Sequence, residues 1–146
     1  MIPIDKKLIP AEILKDSATV HIAQAYFSIS KRLEQKTGCT ATRGFILSTL
    51  RGGVALNQNQ IAKLLGFDRT VVHRSIKTMI REGLLSERRA PSGRALLVHL
   101  TAKGNRYREY LIKERRAIDE KLGKVLAPAE IANLIRLLDV VTRLEF

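Results

Sequence analysis

The residues best suited to chemistry lie on one face of a helix predicted to begin after Asp68. No acidic residue occurs between Arg69 and Arg81. Basic and hydroxyl side chains recur in this segment at positions i, i+4, i+7 and i+11, which an α-helix places on a single face. The residues at these positions are Thr70, Arg74, Lys77 and Arg81, and the residues that flank them are Arg69 and His73. Guanidinium groups donate paired hydrogen bonds to guanine edges and to phosphates, so this face is suited to contacts with duplex DNA.

A shorter helix is predicted immediately before this one, and the two have the spacing of a helix-turn-helix. Asn57 and Gln60 resemble a capping box, so the first helix is predicted over residues 58–65 and ends at Gly66. Asp68 is the predicted N-cap of the second helix. Apolar or small residues stand at the offsets that lock such a pair of helices together. These residues are Ile61, Ala62, Leu65, Val72, Ile76 and Met79.

Two short segments after the helix pair predict the strands of a β-hairpin. They are residues 84–89 and 95–100, and the turn sequence APSG lies between them. Three basic side chains surround this turn, namely Arg88, Arg89 and Arg94. A thin basic loop next to a helix-turn-helix can reach the minor groove, where narrow A·T tracts attract Arg. We therefore interpret the hairpin as a wing.

The charge of the chain indicates the same class of partner. The 146 residues include 26 Lys and Arg against 14 Asp and Glu, which gives a formal net charge of +12. Residues 57–104 hold nine basic and three acidic residues, so the excess is largest in the predicted DNA-binding segment. A basic excess of this kind favours a polyanionic partner. The aromatic content of 5% disfavours single-strand binders, which stack bases on aromatic side chains.

Apolar periodicity predicts further helices on both sides of this basic block. A long helix is predicted over residues 10–36, and Thr40 is the predicted cap of a shorter one. After the hairpin, a helix capped by Thr101 is predicted to end near Lys124, and a last helix is predicted to start at Pro128. The apolar stripes of the outer helices are wider than one small core can cover.

These elements together predict a mainly α fold with a small β-hairpin wing. Residues 38–104 are expected to form a winged helix-turn-helix that binds DNA. Residues 1–37 and 105–146 are expected to form a helical dimerisation domain, because a two-fold interface would cover their exposed stripes.

The whole chain resembles the multiple-antibiotic-resistance regulator (MarR) family of winged-helix repressors. The resemblance lies in the segments LNQNQIAKLLG, VVHRSIKTMIREGLLSER and GRALLVHLTAKG. It implies a homodimer, a palindromic operator and, in many members, a small and often aromatic or anionic effector bound between the two domains. Where the family usually has Asp-Arg-Arg in the wing, this chain has Ser92-Gly93-Arg94, so only the last residue matches.

Side chains near the expected domain junction are candidates for an effector pocket. We expect His21, Tyr26, Arg51 and Tyr107 to be able to line it, although a packing or surface role is the commoner one for each of these types. Cys39 is the only cysteine, so no intramolecular disulfide forms. Oxidant sensing is conceivable for this thiol, but burial as an inert side chain is the favoured interpretation.

Several classes of function find no support in the sequence. There is no Gly-rich phosphate loop, no nucleophile with its base and no paired carboxylates, so we do not expect an enzyme. Metal-ligand spacing is absent, and no cofactor is predicted. No apolar run reaches the ~18 residues that a membrane span needs, and the N-terminus lacks the apolar region of a secretory signal. We therefore expect a cytoplasmic protein without a membrane partner.

Three functions remain after these exclusions, and the excess basic charge of residues 57–104 disfavours one of them, a protein–protein module that uses the winged helix as a scaffold. The other two bind DNA. The first is a homodimeric, sequence-specific regulator of transcription, in the simplest form a repressor that an effector releases. The alternative is an architectural protein that coats DNA with little choice of sequence. A face able to hydrogen-bond to base edges favours the first, since phosphate contacts alone carry no sequence information.

Overall fold

The computed structural model describes residues 15–145. This part of the chain forms six α-helices, a short 3-10 turn and one two-stranded antiparallel sheet. In chain order, the helices are α1 Ala18–Thr37, α2 Ala41–Thr49, α3 Gln58–Leu65, α4 Arg69–Arg81, α5 Ala102–Leu122 and α6 Pro128–Thr142, the 3-10 turn is Arg51–Gly53, and the strands are β1 Leu85–Arg89 and β2 Leu96–Leu100. The predicted fold class, mainly α with a small hairpin wing, is confirmed.

The bounds of α3 and α4 follow from local capping interactions. The Asn57 carboxamide oxygen accepts from the backbone N–H of Gln60 at 2.8 Å, and the Gln60 side chain accepts from the N–H of Asn57 at 2.9 Å. Gly66 ends α3 with φ at 65°, a left-handed conformation that a glycine adopts without strain. Asp68 then accepts from the N–H of Thr70 at 2.8 Å and begins α4. The caps predicted from the sequence are confirmed.

The first outer helix begins later than expected, whereas the last one begins at Pro128 as predicted. Ser17 is in an extended conformation and its hydroxyl accepts from the N–H of Val20, so α1 begins at Ala18. The predicted stretch at residues 10–14 lies outside the described residues. At the start of α6, Ala127 has no capping side chain, and the Glu130 carboxylate accepts from its backbone N–H at 2.7 Å instead.

The buried apolar side chains form one cluster under the helix-turn-helix and the hairpin. Its members all lie between Cys39 and Val98 in the chain. Leu56 extends the sheet, because it exchanges two backbone hydrogen bonds with Val98, at 2.7 and 3.0 Å. The register of the hairpin runs from Leu85 opposite Leu100 to Arg89 opposite Leu96, so the sheet carries the turn away from the core.

The outer helices α1 and α6 contain no buried residue among those described. Large apolar side chains are exposed on both of them, including Tyr26, Phe27 and Ile29 on α1 and Leu134, Ile135, Leu137, Leu138 and Val140 on α6. One copy of the chain therefore leaves its terminal helices uncovered. None of the helices within residues 15–145 is both long and apolar enough to cross a membrane.

Candidate nucleic-acid interface

The basic side chains of α4 lie on its exposed surface. Val72, Ile76 and Met79 anchor the opposite side of the helix, and each is fully buried. All six side chains of α4 that the sequence identified are exposed: Arg69, Thr70, His73, Arg74, Lys77 and Arg81. The helix thus presents donors without a neighbouring carboxylate on its own surface.

Two further residues of this surface were missed by the sequence analysis. Val71 is exposed and lies three residues before Arg74, which is close to one helical turn. Thr78 accepts a hydrogen bond from Arg81 Nη2 at 3.3 Å, while its own hydroxyl donates to the carbonyl of Arg74 at 3.0 Å. Both lie one helical turn from Arg74, but the face predicted from positions 70, 74, 77 and 81 did not include them.

A hydrogen bond between α3 and α4 orients His73. Its Nδ1 lies 2.7 Å from Oε1 of Gln58, the first residue of α3. An amide oxygen can only accept, so Nδ1 is the donor and Nε2 of the exposed ring is left facing away from this bond. The role of Gln58 could not be read from the sequence, because the two residues stand fifteen positions apart on different helices.

The tip of the hairpin is held by its own backbone and by one arginine. The N–H of Ala90 donates to Ala95 O and the N–H of Gly93 donates to Ala90 O, both at 2.8 Å. Arg89 Nη1 donates to the carbonyl of Gly93 at 3.3 Å. Arg88 and Arg94 are exposed without such a bond among the described residues. The side chain that stabilises this turn is therefore Arg89, since the turn itself contains no acidic residue.

Helix α2 holds both ends of α4. Arg43 of α2 forms an ion pair with Glu82, the residue that caps the C-terminal end of α4. At the same end, Lys103 of α5 donates to the Glu82 carbonyl at 2.7 Å. Phe45 packs edge-to-face on Phe67, in the turn that precedes α4, with ring centroids 5.9 Å apart. The orientation of α4 is therefore coupled to the position of α2.

Helix α2 also forms one wall of a cavity of about 190 Å³. Residues of α1, α2 and α5 line it, among them Tyr26, Leu33, Gly44, Phe45, Leu111 and Arg115. An apolar cavity of ~150 Å³ is enough to bind benzene, so a ligand with one ring fits this volume. Phe45 belongs both to this wall and to the aromatic pair that supports α4.

The structure brings only part of the predicted pocket together. Tyr26 lines the cavity. Tyr107 lies beside it, where its hydroxyl donates to the carbonyl of Thr37 at 3.0 Å and burial raises its pKa to about 12. His21 and Arg51 do not line this cavity, because His21 bonds to Ser17 O near the start of α1 and Arg51 is exposed in the 3-10 turn. Arg115, which the sequence analysis did not select, supplies the cation.

Cys39 is buried at the edge of the cavity. Burial raises the pKa of its thiol, and the nearby Tyr107 hydroxyl and Arg43 guanidinium offset only part of this effect. A raised pKa keeps the thiolate, the reactive form, scarce at neutral pH. This environment favours the interpretation of Cys39 as an inert core thiol. Within residues 15–145, no three metal-ligating side chains cluster.

Residues 37–95, from the end of α1 to the tip of the hairpin, match the sequence model of the MarR family. Over 117 residues the chain is 27% identical to the uncharacterized HTH-type transcriptional regulator YdgJ of Bacillus subtilis (strain 168), and this alignment covers 80% of this chain and 70% of that protein.

The solved structures that are similar in fold include two transcription regulators. The transcriptional repressor CouR, bound to a 23-mer DNA duplex, is 20% identical with a TM-score of 0.82, and the match covers 92% of this chain and 99% of that one. The PcaV transcriptional regulator from Streptomyces coelicolor, in complex with its natural ligand, is 23% identical with a TM-score of 0.70 over 97% of both chains. Members of the matched family are transcription regulators and not enzymes. With its helix-turn-helix and hairpin in the matched segment, this chain is similar in sequence and in fold to transcription regulators of the MarR family.

Proposed function

We propose that this protein is a homodimeric, sequence-specific DNA-binding repressor whose α4 enters the major groove of a palindromic operator. The observation that carries the proposal is the acid-free exposed face of α4, from Arg69 to Arg81. Recognition helices of helix-turn-helix proteins contact base edges with residues near their N-terminal end. CouR, with a similar fold, is bound to a DNA duplex.

The two outer segments support the dimeric part of the proposal. Residues 1–37 and 105–146 are assigned to dimerisation and residues 38–104 to DNA binding. The exposed apolar side chains of α1 and α6 are of the kind that a two-fold interface covers. A dimer would present two copies of α4, and a palindrome would present two matching half-sites to them.

Sequence-specific reading is favoured over architectural coating of DNA. Arg74 lies one turn after Thr70 on the exposed face, and its guanidinium can bond to both acceptors of a guanine. Arg94 lies at the tip of the hairpin, so we assign it to the backbone or minor groove of the flanking DNA. The two arginines therefore have different expected roles, and their variants separate the two functions.

Replacing Arg74 with Ala is expected to weaken operator binding by ~1–3 kcal/mol per half-site, with a loss that depends on the base pair opposite. Arg94→Ala is expected to weaken operator and random DNA to a similar extent. Both variants are titrated against an operator selected from a random pool, against base-substituted operators and against random DNA. Parallel losses for both variants on all DNA would support architectural binding and contradict our proposal.

We further propose that a small ligand in the cavity between α1, α2 and α5 weakens operator binding. Phe45 of α2 lines the cavity and packs on Phe67 in the turn before α4. Arg43, also on α2, forms an ion pair with Glu82 at the C-terminal end of α4. A ligand that moves α2 would therefore shift α4 at both ends. The volume fits one ring, and Arg115 favours an anionic substituent.

Benzoate is the probe for this site, and it is expected to lower operator affinity by ~5–150-fold, the usual range of coupling between two sites. Benzamide has the same ring without the charge and is expected to act more weakly. Arg115→Met should abolish the response to benzoate. Arg116→Met removes the adjacent exposed arginine, which does not line the cavity, and serves as the matched control. An unchanged response in Arg115→Met would refute the assignment of this cavity.

A further inference from the structure

We propose that Val71 is a specificity-determining residue that reads the 5-methyl group of a thymine in the operator. This inference rests on the proposed function, because it requires that α4 enter the major groove. It adds a contact that depends on neither charge nor hydrogen bonding.

The contacts of Val71 within the folded chain do not explain why this position is a valine. It is the only apolar side chain among the exposed residues of α4, with 43% of its surface accessible. It contributes little to the core, which Val72, Ile76 and Met79 fill from the other side of the helix. A β-branched residue also has a lower helix propensity than alanine or lysine. Neither packing nor local propensity therefore favours valine at this position.

Val71 lies at a position from which a side chain of a recognition helix can contact base edges. It lies in the first turn of α4, where the side chain of Asp68 accepts hydrogen bonds from the N–H groups of Thr70 and Val71 at 2.8 and 3.4 Å. This cap fixes the backbone of the turn. Residues in the first turns of a recognition helix are the ones that reach base edges. The side chain is also stiff at χ1, so little rotamer freedom is lost on contact.

The chemistry of the isopropyl group selects one base. In the major groove only thymine carries a methyl group, and apolar side chains discriminate it by direct contact. Valine cannot satisfy the hydrogen-bonding groups of the other bases.

Val71 and Arg74 are three positions apart, or about 4.5 Å along the helix axis, which is close to the ~3.4 Å spacing of base pairs. We therefore expect a T·A pair read by Val71 next to a G·C pair read by Arg74 in each half-site.

The experiment removes the methyl group from the DNA. Each thymine of the selected operator is replaced in turn by uracil, and affinity is measured for the wild-type protein. Replacing this thymine in one half-site is expected to weaken binding about fourfold, the factor that corresponds to burial of one methyl group, and replacing it in both half-sites about 15-fold. Val71→Ala changes both subunits of the dimer, so it should bind the thymine operator about 15-fold more weakly and should not respond to uracil at that position.

Two features make the outcome decisive. Val71→Ala favours the helix, so a folding defect is not expected to reduce binding. Val54→Ala deletes the same atoms from a residue of matching exposure, 41%, outside α4, and should respond to uracil as the wild type does. If specific binding persists but no thymine shows a methyl dependence that Val71→Ala removes, the Val71 assignment is wrong and the proposed function stands. If no operator can be selected at all, both are wrong.

Discussion

Operator affinity is expected to fall by ~10³–10⁵-fold when salt rises from about 50 to 200 mM, because Lys and Arg side chains displace counterions from the DNA when they bind phosphates. A chain with a net charge of +12 that presents Arg69, Lys77 and Arg81 on α4 and Arg88 on the wing brings at least eight such side chains as a dimer. About six to ten phosphate contacts give a slope of this size. The measurement is a titration of operator DNA at a series of salt concentrations.

Neutral variants identify which side chains carry this dependence. Lys77→Gln should weaken binding to all sequences alike and reduce the salt slope by about one for each phosphate that the side chain no longer neutralises. Lys113→Gln, on the exposed surface of α5 outside the DNA-binding segment, is the matched control and should leave the slope unchanged. A flat salt dependence of the wild type would exclude duplex DNA as the partner.

The helix-turn-helix could be predicted almost to the residue because its ends depend on local chemistry. Asn57, Gln60 and Asp68 bond to backbone groups two or three positions away, and Gly66 adopts a positive φ at the helix end. Each of these interactions is contained within a few residues. The same reasoning failed for the start of α1, because the apolar pattern gave no weight to Ser17 as a cap.

The contacts that support α4 could not be predicted because they join distant parts of the chain. Arg43 and Glu82 are 39 positions apart, and Gln58 and His73 are 15 apart. Neither pairing has a sequence period that would reveal it. Residues at the cavity were selected by type, so Tyr26 was found and Arg115 was not. Their positions depend on how α1, α2 and α5 cross, which periodicity does not determine.

Replacing Leu138 with Asp is expected to disrupt the proposed dimer, because the change would place two unpaired carboxylates in an apolar interface. Leu138 and Leu134 lie on one face of α6, and both remain 38% exposed in the single chain. An obligate interface of this type covers ~2,000 Å² or more. Each buried and unpaired charge costs several kcal/mol, so the dimer dissociation constant should rise by ~10⁴-fold or more.

Sedimentation velocity at micromolar concentration measures this change directly, with circular dichroism to show whether the monomer stays folded. Val54→Asp places a carboxylate at a similarly exposed valine outside α1 and α6 and should remain dimeric. Operator affinity should fall together with dimerisation, because a monomer engages one half-site and loses the second as an intramolecular contact. A stable, well-folded wild-type monomer at the same concentration would contradict the dimeric architecture, because it would show that the exposed apolar faces of α1 and α6 need no partner subunit to cover them.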